Sequence, residues 1–304
     1  MVAGKMHADE LDTDVALVSR LVEAQFPQWA GLPIAPFESG GATNAIYRLG
    51  DDKSVRLPLR PGAARLQQIE KEHRWLPRLA PLLPLAIPVP LAKGNPGEGY
   101  PLHWSVHRWL EGETATVERT DLPYAATALA EFVTALQRID PAGGPLPGPH
   151  NSRRGVPLAT RDAATRAAMD ALHGAIDVGA ATEAWEAALR APHWRGPPVW
   201  IHGDLFPGNL LLQLDRLSAV IDFGCLGVGD PACDLVPGWT LLSPETRELF
   251  RATLDVDDAT WARGRGWALS AAVIALPYFQ HTNPTLAGIA RHTIAEVLAE
   301  PRRT

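Results

Sequence analysis

The spacing of apolar and polar positions changes period along this chain. Val15, Leu17, Val18, Leu21, Val22 and Phe26 recur at helical spacing and predict a helix over 12–29, with Asp12, Thr13 or Asp14 as its cap. Pro33 ends any continuation. Residues 34–50 then read as two short strands around a glycine-rich turn, and 54–59 as a third, joined by the turn Gly50-Asp51-Asp52-Lys53. These strands follow one another as a meander, with no helices between them. Leu66, Ile69, Leu76, Leu79 and Ala80 share one side of a helix predicted over 63–83. A stretch carrying Pro84, Pro88, Pro90 and Pro96 leads to two more strands, of which 100–110 is one, ending at Glu111-Gly112.

Beyond Thr120 the period becomes helical: an amphipathic helix over 124–139, a Pro/Gly loop over 141–149, and one or two Ala-rich helices over 160–189. Short strands and loops run from Val199 to about Asp234. Residues 244–298 are helical again, interrupted near Pro277 and Pro284. No internal repeat is present. Strands first and helices later predict an α+β protein with a sheet-rich lobe over 1–110 and a helical lobe over 111–304.

Composition narrows the classes. With 304 residues, 46% hydrophobic, the chain can bury a large core and fits two lobes better than one. Charged residues are 20%, without long blocks, which argues against a long disordered tail. A formal net charge of -6 argues against a nucleic-acid partner and leaves room for a cationic small molecule. Cys225 and Cys233 are too close to staple a chain this long and read as reduced thiols of a cytoplasmic protein. Met1 to Asp14 carries four acids and no apolar h-region, so no signal peptide is predicted, and no apolar run is long enough to span a membrane.

The chemistry concentrates in 199–224. Leu210 to Gln213 and Leu217 to Ile221 are apolar runs joined by Leu214-Asp215-Arg216, which predicts a β-hairpin. Asn209 precedes the first strand and Asp222 follows the second, so both sit at the open end, where cross-strand neighbours are about 4.5–5.5 Å apart. An amide oxygen and a carboxylate at that spacing suit one hard cation such as Mg²⁺. Asp204, on a loop with Pro207 and Gly208, can bring a second carboxylate alongside as a general base. His-x-Asp-x-x-x-x-Asn followed by Asp-Phe-Gly meets the needs of phosphoryl transfer: a gripped triphosphate and an oriented hydroxyl relieved of its proton. Taken singly, each Asp has the bland reading of a turn or cap residue, and for Asp230 and Asp234 that structural reading is the favoured one.

His202-Gly-Asp204-Leu-Phe-Pro-Gly-Asn209, then Ile221-Asp222-Phe-Gly224, then Gly229-Asp230-Pro-Ala-Cys-Asp234-Leu, in this order and spacing, resemble the aminoglycoside phosphotransferase family of small-molecule kinases. The resemblance implies a bilobal protein-kinase-like fold and transfer of the γ-phosphoryl of ATP or GTP to a hydroxyl of a small molecule. Under it Asp204 orients the acceptor hydroxyl and takes its proton, Asn209 and Asp222 bind magnesium, and His202 braces the loop. Gly40, Gly41 and Asn44 resemble the phosphate-covering loop, since glycine lets backbone N–H groups approach phosphate oxygens. Arg56 stands where the family has a lysine; its planar fork of donors also suits phosphate. Glu72 is the choice for its pairing acid, with Glu70 the alternative. Trp109 and Leu110 fall where adenine meets main chain, although an aromatic residue ending a strand is commonly core.

The acceptor is expected in the helical lobe near Asp204. Asp162, Asp170, Asp177, Glu183 and Glu186 there would suit the ammonium groups of an aminoglycoside, yet helix surfaces are ordinarily charged and nothing in their spacing gathers them. Related kinases act on macrolides, choline, homoserine and sugars, so the acceptor, the choice of ATP or GTP, any role in antibiotic resistance and the oligomeric state stay open. Two other readings remain beside the kinase: metal-assisted hydrolysis through Asp204 and Asp222, and a nucleotide-binding pseudokinase acting as an interaction module.

Overall fold

The computed structural model describes residues 9–37 and 43–300. Its first layer is a five-stranded antiparallel sheet in the order β1-β2-β3-β5-β4. The strands are β1 (Ile34–Phe37), β2 (Asn44–Leu49), β3 (Lys53–Pro58), β4 (Pro90–Gly94) and β5 (Trp104–Arg108). Helix α1 (Val15–Gln25) starts at Asp14, whose carboxylate accepts from the Leu17 N–H at 2.7 Å. Its buried residues Leu17, Val18, Leu21 and Val22 pack with Tyr47, Leu49, Val55, Leu57, Trp104 and Val106 of the sheet. Side chains alternate along a strand. With Tyr47 opposite Val55 and Ala45 opposite Leu57, the odd-numbered positions turn toward α1. Arg56, opposite Ile46 and Ser105, projects from the other face.

Helix α2 (Ala63–Leu79) follows the sheet's third strand and gives way to a single 3₁₀ turn over Ala80–Leu82. Trp75, Leu76 and Leu79, with Leu85 and Ile87, join a second and larger core. Ala86 stitches the chain to that core: its N–H donates to Ser218 O at 3.2 Å and its carbonyl accepts from Val220 N at 2.9 Å.

The larger core gathers the rest of the chain. Its elements are β6 (Glu113–Thr114), α3 (Leu122–Arg138), α4 (Asp162–Ala171), α5 (Val178–Arg190), β7 (Val199–Ile201), β8 (Leu210–Gln213), β9 (Arg216–Val220), β10 (Gly227–Gly229), α6 (Pro237–Thr240), α7 (Pro244–Leu254), α8 (Asp258–Phe279) and α9 (Pro284–Ala299). Helix α8 runs through its middle, with Trp267, Ala268, Leu269 and Val273 essentially inaccessible. The interruption expected near Pro277 falls just after it: the proline sits in the last turn of α8, which ends at Phe279. Pro284 opens α9 at its first turn, behind the capping Asn283. Asp230 accepts from Arg263 Nε at 2.8 Å and Nη2 at 3.2 Å, and its Oδ1 also caps Ala232 N at 3.0 Å. This buried pair fixes the 3₁₀ turn over 231–235 to α8. No helix among the described residues is long and apolar enough to cross a membrane.

Two glycines predict stability changes of opposite sign. A Cβ at Gly94 would lie 2.0 Å from Cε2 of the buried Trp104 ring, so Gly94→Ala should destabilise by about 1–3 kcal/mol or more. A Cβ at the exposed Gly288 within α9 meets nothing within 4 Å, so Gly288→Ala should stabilise by about 0.5–1 kcal/mol. Denaturant unfolding of the two variants checks both signs.

Candidate active site

The predicted hairpin is β8–β9, with Gln213 opposite Arg216 and a two-residue loop. Leu214 and Asp215 both have left-handed φ (50° and 61°), which matches the twist of a tight hairpin. Arg216 is therefore a strand residue, not part of the turn. At the other end Ile221 N donates to Asn209 O at 2.8 Å, holding together the two chain segments that lead to Asn209 and Asp222. Asn209 Nδ2 donates to Asp204 O at 2.8 Å and to Asp204 Oδ2 at 3.0 Å. Asp222 takes a left-handed φ of 61°, a conformation that Asp tolerates better than most residues, and its Oδ1 accepts from Gly224 N at 3.3 Å. The hairpin thus brings Asp204, Asn209 and Asp222 to one end.

The loop before Asp204 is fastened from beneath. The Asp234 carboxylate accepts from His202 N and Gly203 N, each at 2.7 Å. Burial pushes the Asp234 carboxyl up to about 7, against those two N–H donors, which favour the anion. His202 is wholly buried and spans the site: its Nδ1 accepts from Asp204 N at 3.1 Å and its Nε2 donates to Ile221 O at 3.1 Å. That pairing requires the neutral imidazole, and burial holds its pKa down to about 4.

Asp204 keeps 30% of its side chain exposed. Burial of the remainder raises its pKa; Arg154, whose Nη2 donates to Oδ1 at 3.2 Å, opposes the rise, and the charge of Asp222 adds to it. The result is a carboxylate more basic than usual and reachable from solvent, as a general base needs to be. Asn209 spends its amide nitrogen on Asp204, which leaves Oδ1 available to a cation, and the Asp222 carboxylate lies at the same end of the hairpin. Among the described residues no group of three or more His, Cys, Asp or Glu gathers into a metal site. One carboxylate and one amide oxygen nevertheless fit Mg²⁺, which keeps several waters and takes its other oxygens from phosphates.

On the sheet side, Gly40 and Gly41 lie outside the described residues. Asn44 opens β2, its Nδ2 donating to Thr43 Oγ1 at 3.3 Å. Glu72 points inward from α2 and Glu70 outward, to Lys93 at 3.4 Å. Burial lifts the Glu72 carboxyl to about 7, and Arg56 acts against that rise. Their contact is electrostatic and longer than an ion pair: the nearest base to Glu72 is His107, at 3.8 Å. Trp109 is half-buried, edge-on to Phe37 at 5.0 Å and beneath Arg48 at 4.7 Å. Its backbone N–H is spent on Asp52 O at 2.8 Å, which leaves its carbonyl as the main-chain group not used there.

The helical-lobe acids do not collect at Asp204. Asp162 takes Arg166 and the Trp185 indole, Asp177 caps α5, and Glu186 takes Arg166 and Arg190. Two basic residues near the site have no signal in the sequence. Arg154 lies in a loop with no periodicity. Lys71 sits in a charged helical stretch, yet its Nζ is buried and donates to Gly224 O at 2.8 Å.

The neutral His202 predicts a pH dependence. Its folded pKa of about 4 lies below the ordinary 6.5, so the folded state binds fewer protons between those values. Its contribution to stability is complete above pH 6.5 and is lost as pH falls toward 4, by up to about 3 kcal/mol. Denaturant unfolding between pH 7 and 5 should show this slope, and His202→Gln should flatten it.

The comparisons with known proteins agree with this layout. Among curated proteins none matches the chain. Among solved structures, the GDP complex of aminoglycoside 2'-phosphotransferase-IIIa superposes with a TM-score of 0.69 at 18% identity, over 94% of this chain and 99% of that one. ADP-bound aminoglycoside phosphotransferase APH(2'')-Ib gives 0.59 at 15%, over 93% and 98%. The apoenzyme of a macrolide 2'-phosphotransferase from Brachybacterium faecium gives 0.58 at 22%, over 96% and 99%. The fold is therefore the bilobal kinase-like one. A family model described as the phosphotransferase enzyme family matches residues 34–267, and the chain belongs to that family.

Proposed function

We propose that this kinase transfers the γ-phosphoryl of ATP or GTP to a hydroxyl of a small molecule, with 1–110 as the nucleotide lobe and 111–304 as the catalytic and acceptor lobe. The observation that carries the reading is the meeting of Asp204, Asn209 and Asp222 at one end of the β8–β9 hairpin. Asp204 takes the acceptor proton. The acceptor oxygen bonds to the γ-phosphorus as the bond from that phosphorus to the bridging oxygen breaks, and the nucleoside diphosphate leaves. Asn209 Oδ1 and the Asp222 carboxylate would hold Mg²⁺, which neutralises triphosphate charge when bound. Gly40, Gly41 and Asn44 cover the phosphates. Arg56 contacts them as the positive group, steadied by the field of Glu72. The carbonyl of Trp109 and the main chain of Leu110 meet the base.

That solved relatives bear GDP and ADP supports a nucleotide co-substrate without choosing between purines. The second reading, a nucleotide-binding pseudokinase, draws on Arg56 and on its distance from Glu72; it predicts Mg-nucleotide binding with no transfer.

A phosphoryl-transfer screen with labelled ATP and GTP over hydroxylated compounds tests the reading. Asp204→Asn should lower kcat by about 10²–10⁴ while Mg-nucleotide affinity is largely kept, because base and orientation are lost and the metal ligands are not. Asp222→Ala should weaken Mg-nucleotide binding itself, read by titration calorimetry. Loss of nucleotide affinity in Asp204→Asn equal to the loss of rate would refute the general-base role.

A further inference from the structure

The charged group in direct contact with Asp204 is positive, and the negative charge of Asp222 acts on it from the hairpin end. Arg154 donates Nη2 to Asp204 Oδ1 at 3.2 Å, and its buried Nε has no partner among the described residues. Arg161, which leads into α4, lies beside it. Both guanidinium carbons lie over the Trp267 ring of α8, at 5.7 Å for Arg154 and 4.7 Å for Arg161. Arg161 is held rigidly: its Nε donates to Ser270 Oγ at 2.8 Å, and Ser270 Oγ meets Thr165 Oγ1 at 2.7 Å in the core between α4 and α8. The fork beyond Nε carries two more nitrogens. Among the described residues they have no hydrogen-bond partner and no carboxylate within 4.0 Å, and the residue is half-buried. Burial, with the neighbouring Arg154 acting in the same direction, brings the Arg161 pKa down to about 10.

Such an arrangement is costly unless something negative completes it. Asp204 neutralises Arg154 alone, and it must itself face a hydroxyl. Asp162 and Glu186 are engaged with Arg166 and Arg190, and Asp177 caps α5. An acceptor bearing several ammonium groups would meet repulsion here. A carboxylate or phosphate would meet a preformed planar fork.

Resting on the kinase reading above, we infer that the acceptor is a small hydroxylated anion, whose carboxylate or phosphate binds Arg161 and Arg154 on Trp267 while its hydroxyl faces Asp204. The class is that of sugar acids, hydroxy acids and sugar phosphates; its anionic group lies a few bonds from the hydroxyl that is modified.

The test uses the full chain, Mg²⁺ and labelled ATP or GTP with three sets of acceptors: sugar acids with sugar phosphates, neutral polyols, and aminoglycosides. Transfer is expected to the first set with kcat/KM at least tenfold above the others. In Arg161→Gln the KM for the anionic acceptor should rise at least tenfold, with the nucleotide KM unchanged. Arg161→Lys should recover part of the loss, which a merely structural role for the side chain would not produce. Carboxylate and phosphate acceptors, compared within the first set, distinguish the two sources of charge. Preferred transfer to aminoglycosides or neutral polyols, or an anion KM indifferent to Arg161→Gln, overturns the anionic assignment and leaves the kinase standing. So does Mg-nucleotide binding by calorimetry without binding of gluconate or glucose 6-phosphate. Absence of Mg-nucleotide binding would instead sink the kinase reading beneath it.

Discussion

Two backbone N–H groups aimed at one buried carboxylate set the position of everything chemical in this protein. His202 N and Gly203 N both donate to Asp234, which is wholly inaccessible. A buried N–H without an acceptor costs about 1–3 kcal/mol, so the chain after β7 cannot shift without losing both bonds. Gly203 is required there: its φ is 81°, and a Cβ would lie 2.8 Å from Cys225 O and 3.0 Å from the Arg154 side chain. With that turn fixed, the His202 ring can reach Asp204 N on one side and Ile221 O on the other. The spacing between Asp204 and the strand end that carries Asp222 is therefore set by a rigid neutral ring within the protein.

Helix α2 serves the site through two adjacent residues. Successive helical positions point about 100° apart, so Glu72 and Lys71 reach different elements. Glu72 turns to the sheet face that carries Arg56 and His107. Lys71 reaches the Asp-Phe-Gly segment through Gly224 O at 2.8 Å and donates as well to His150 O, in the turn over 149–151, at 3.3 Å. Burial brings the Lys71 amine down to about 8, with Cys225, Glu72 and Asp222 opposing that fall. A displacement of this helix changes the electrostatics at Arg56 and the support of the segment after Asp222 together, which links the sheet to the end of the β8–β9 hairpin.

Much of this was legible from residue order. The hairpin is a local structure whose strands adjoin in sequence, so Asn209 and Asp222 can be placed at one end without knowing any other contact. The meander β1-β2-β3 and the capped helices are local in the same sense. What sequence could not give depends on contacts across long separations. Arg154 meets Asp204 across 50 positions, and Lys71 meets Gly224 across 153. Neither carries a periodic or motif signal. The choice between Glu70 and Glu72 needed the orientation of α2 against the sheet, which is a matter of packing. The proline at 277 was read as a break because its effect depends on how much helix follows it, and the end of α8 only two residues later is a tertiary fact. The family resemblance supplied roles, but the arginine at 56 shows its limit: the residue type at a motif position does not fix the length of its contact with Glu72.

The same contrast governs the charge of the acceptor site. A net charge of -6 spread over the chain favours cations only weakly, since exposed charges beyond about 10 Å are screened by salt. Groups at contact distance in a partly desolvated cleft interact far more strongly, by about 4 kcal/mol per pair at 4 Å and an effective dielectric of 20. At Asp204 the group in contact is Arg154, which shares the Trp267 ring with Arg161. Asp162 and Glu186 are paired with Arg166 and Arg190, and Asp177 caps α5. Local geometry therefore outweighs composition: in a protein acidic as a whole, two guanidinium groups share one indole face, and one of them donates to Asp204.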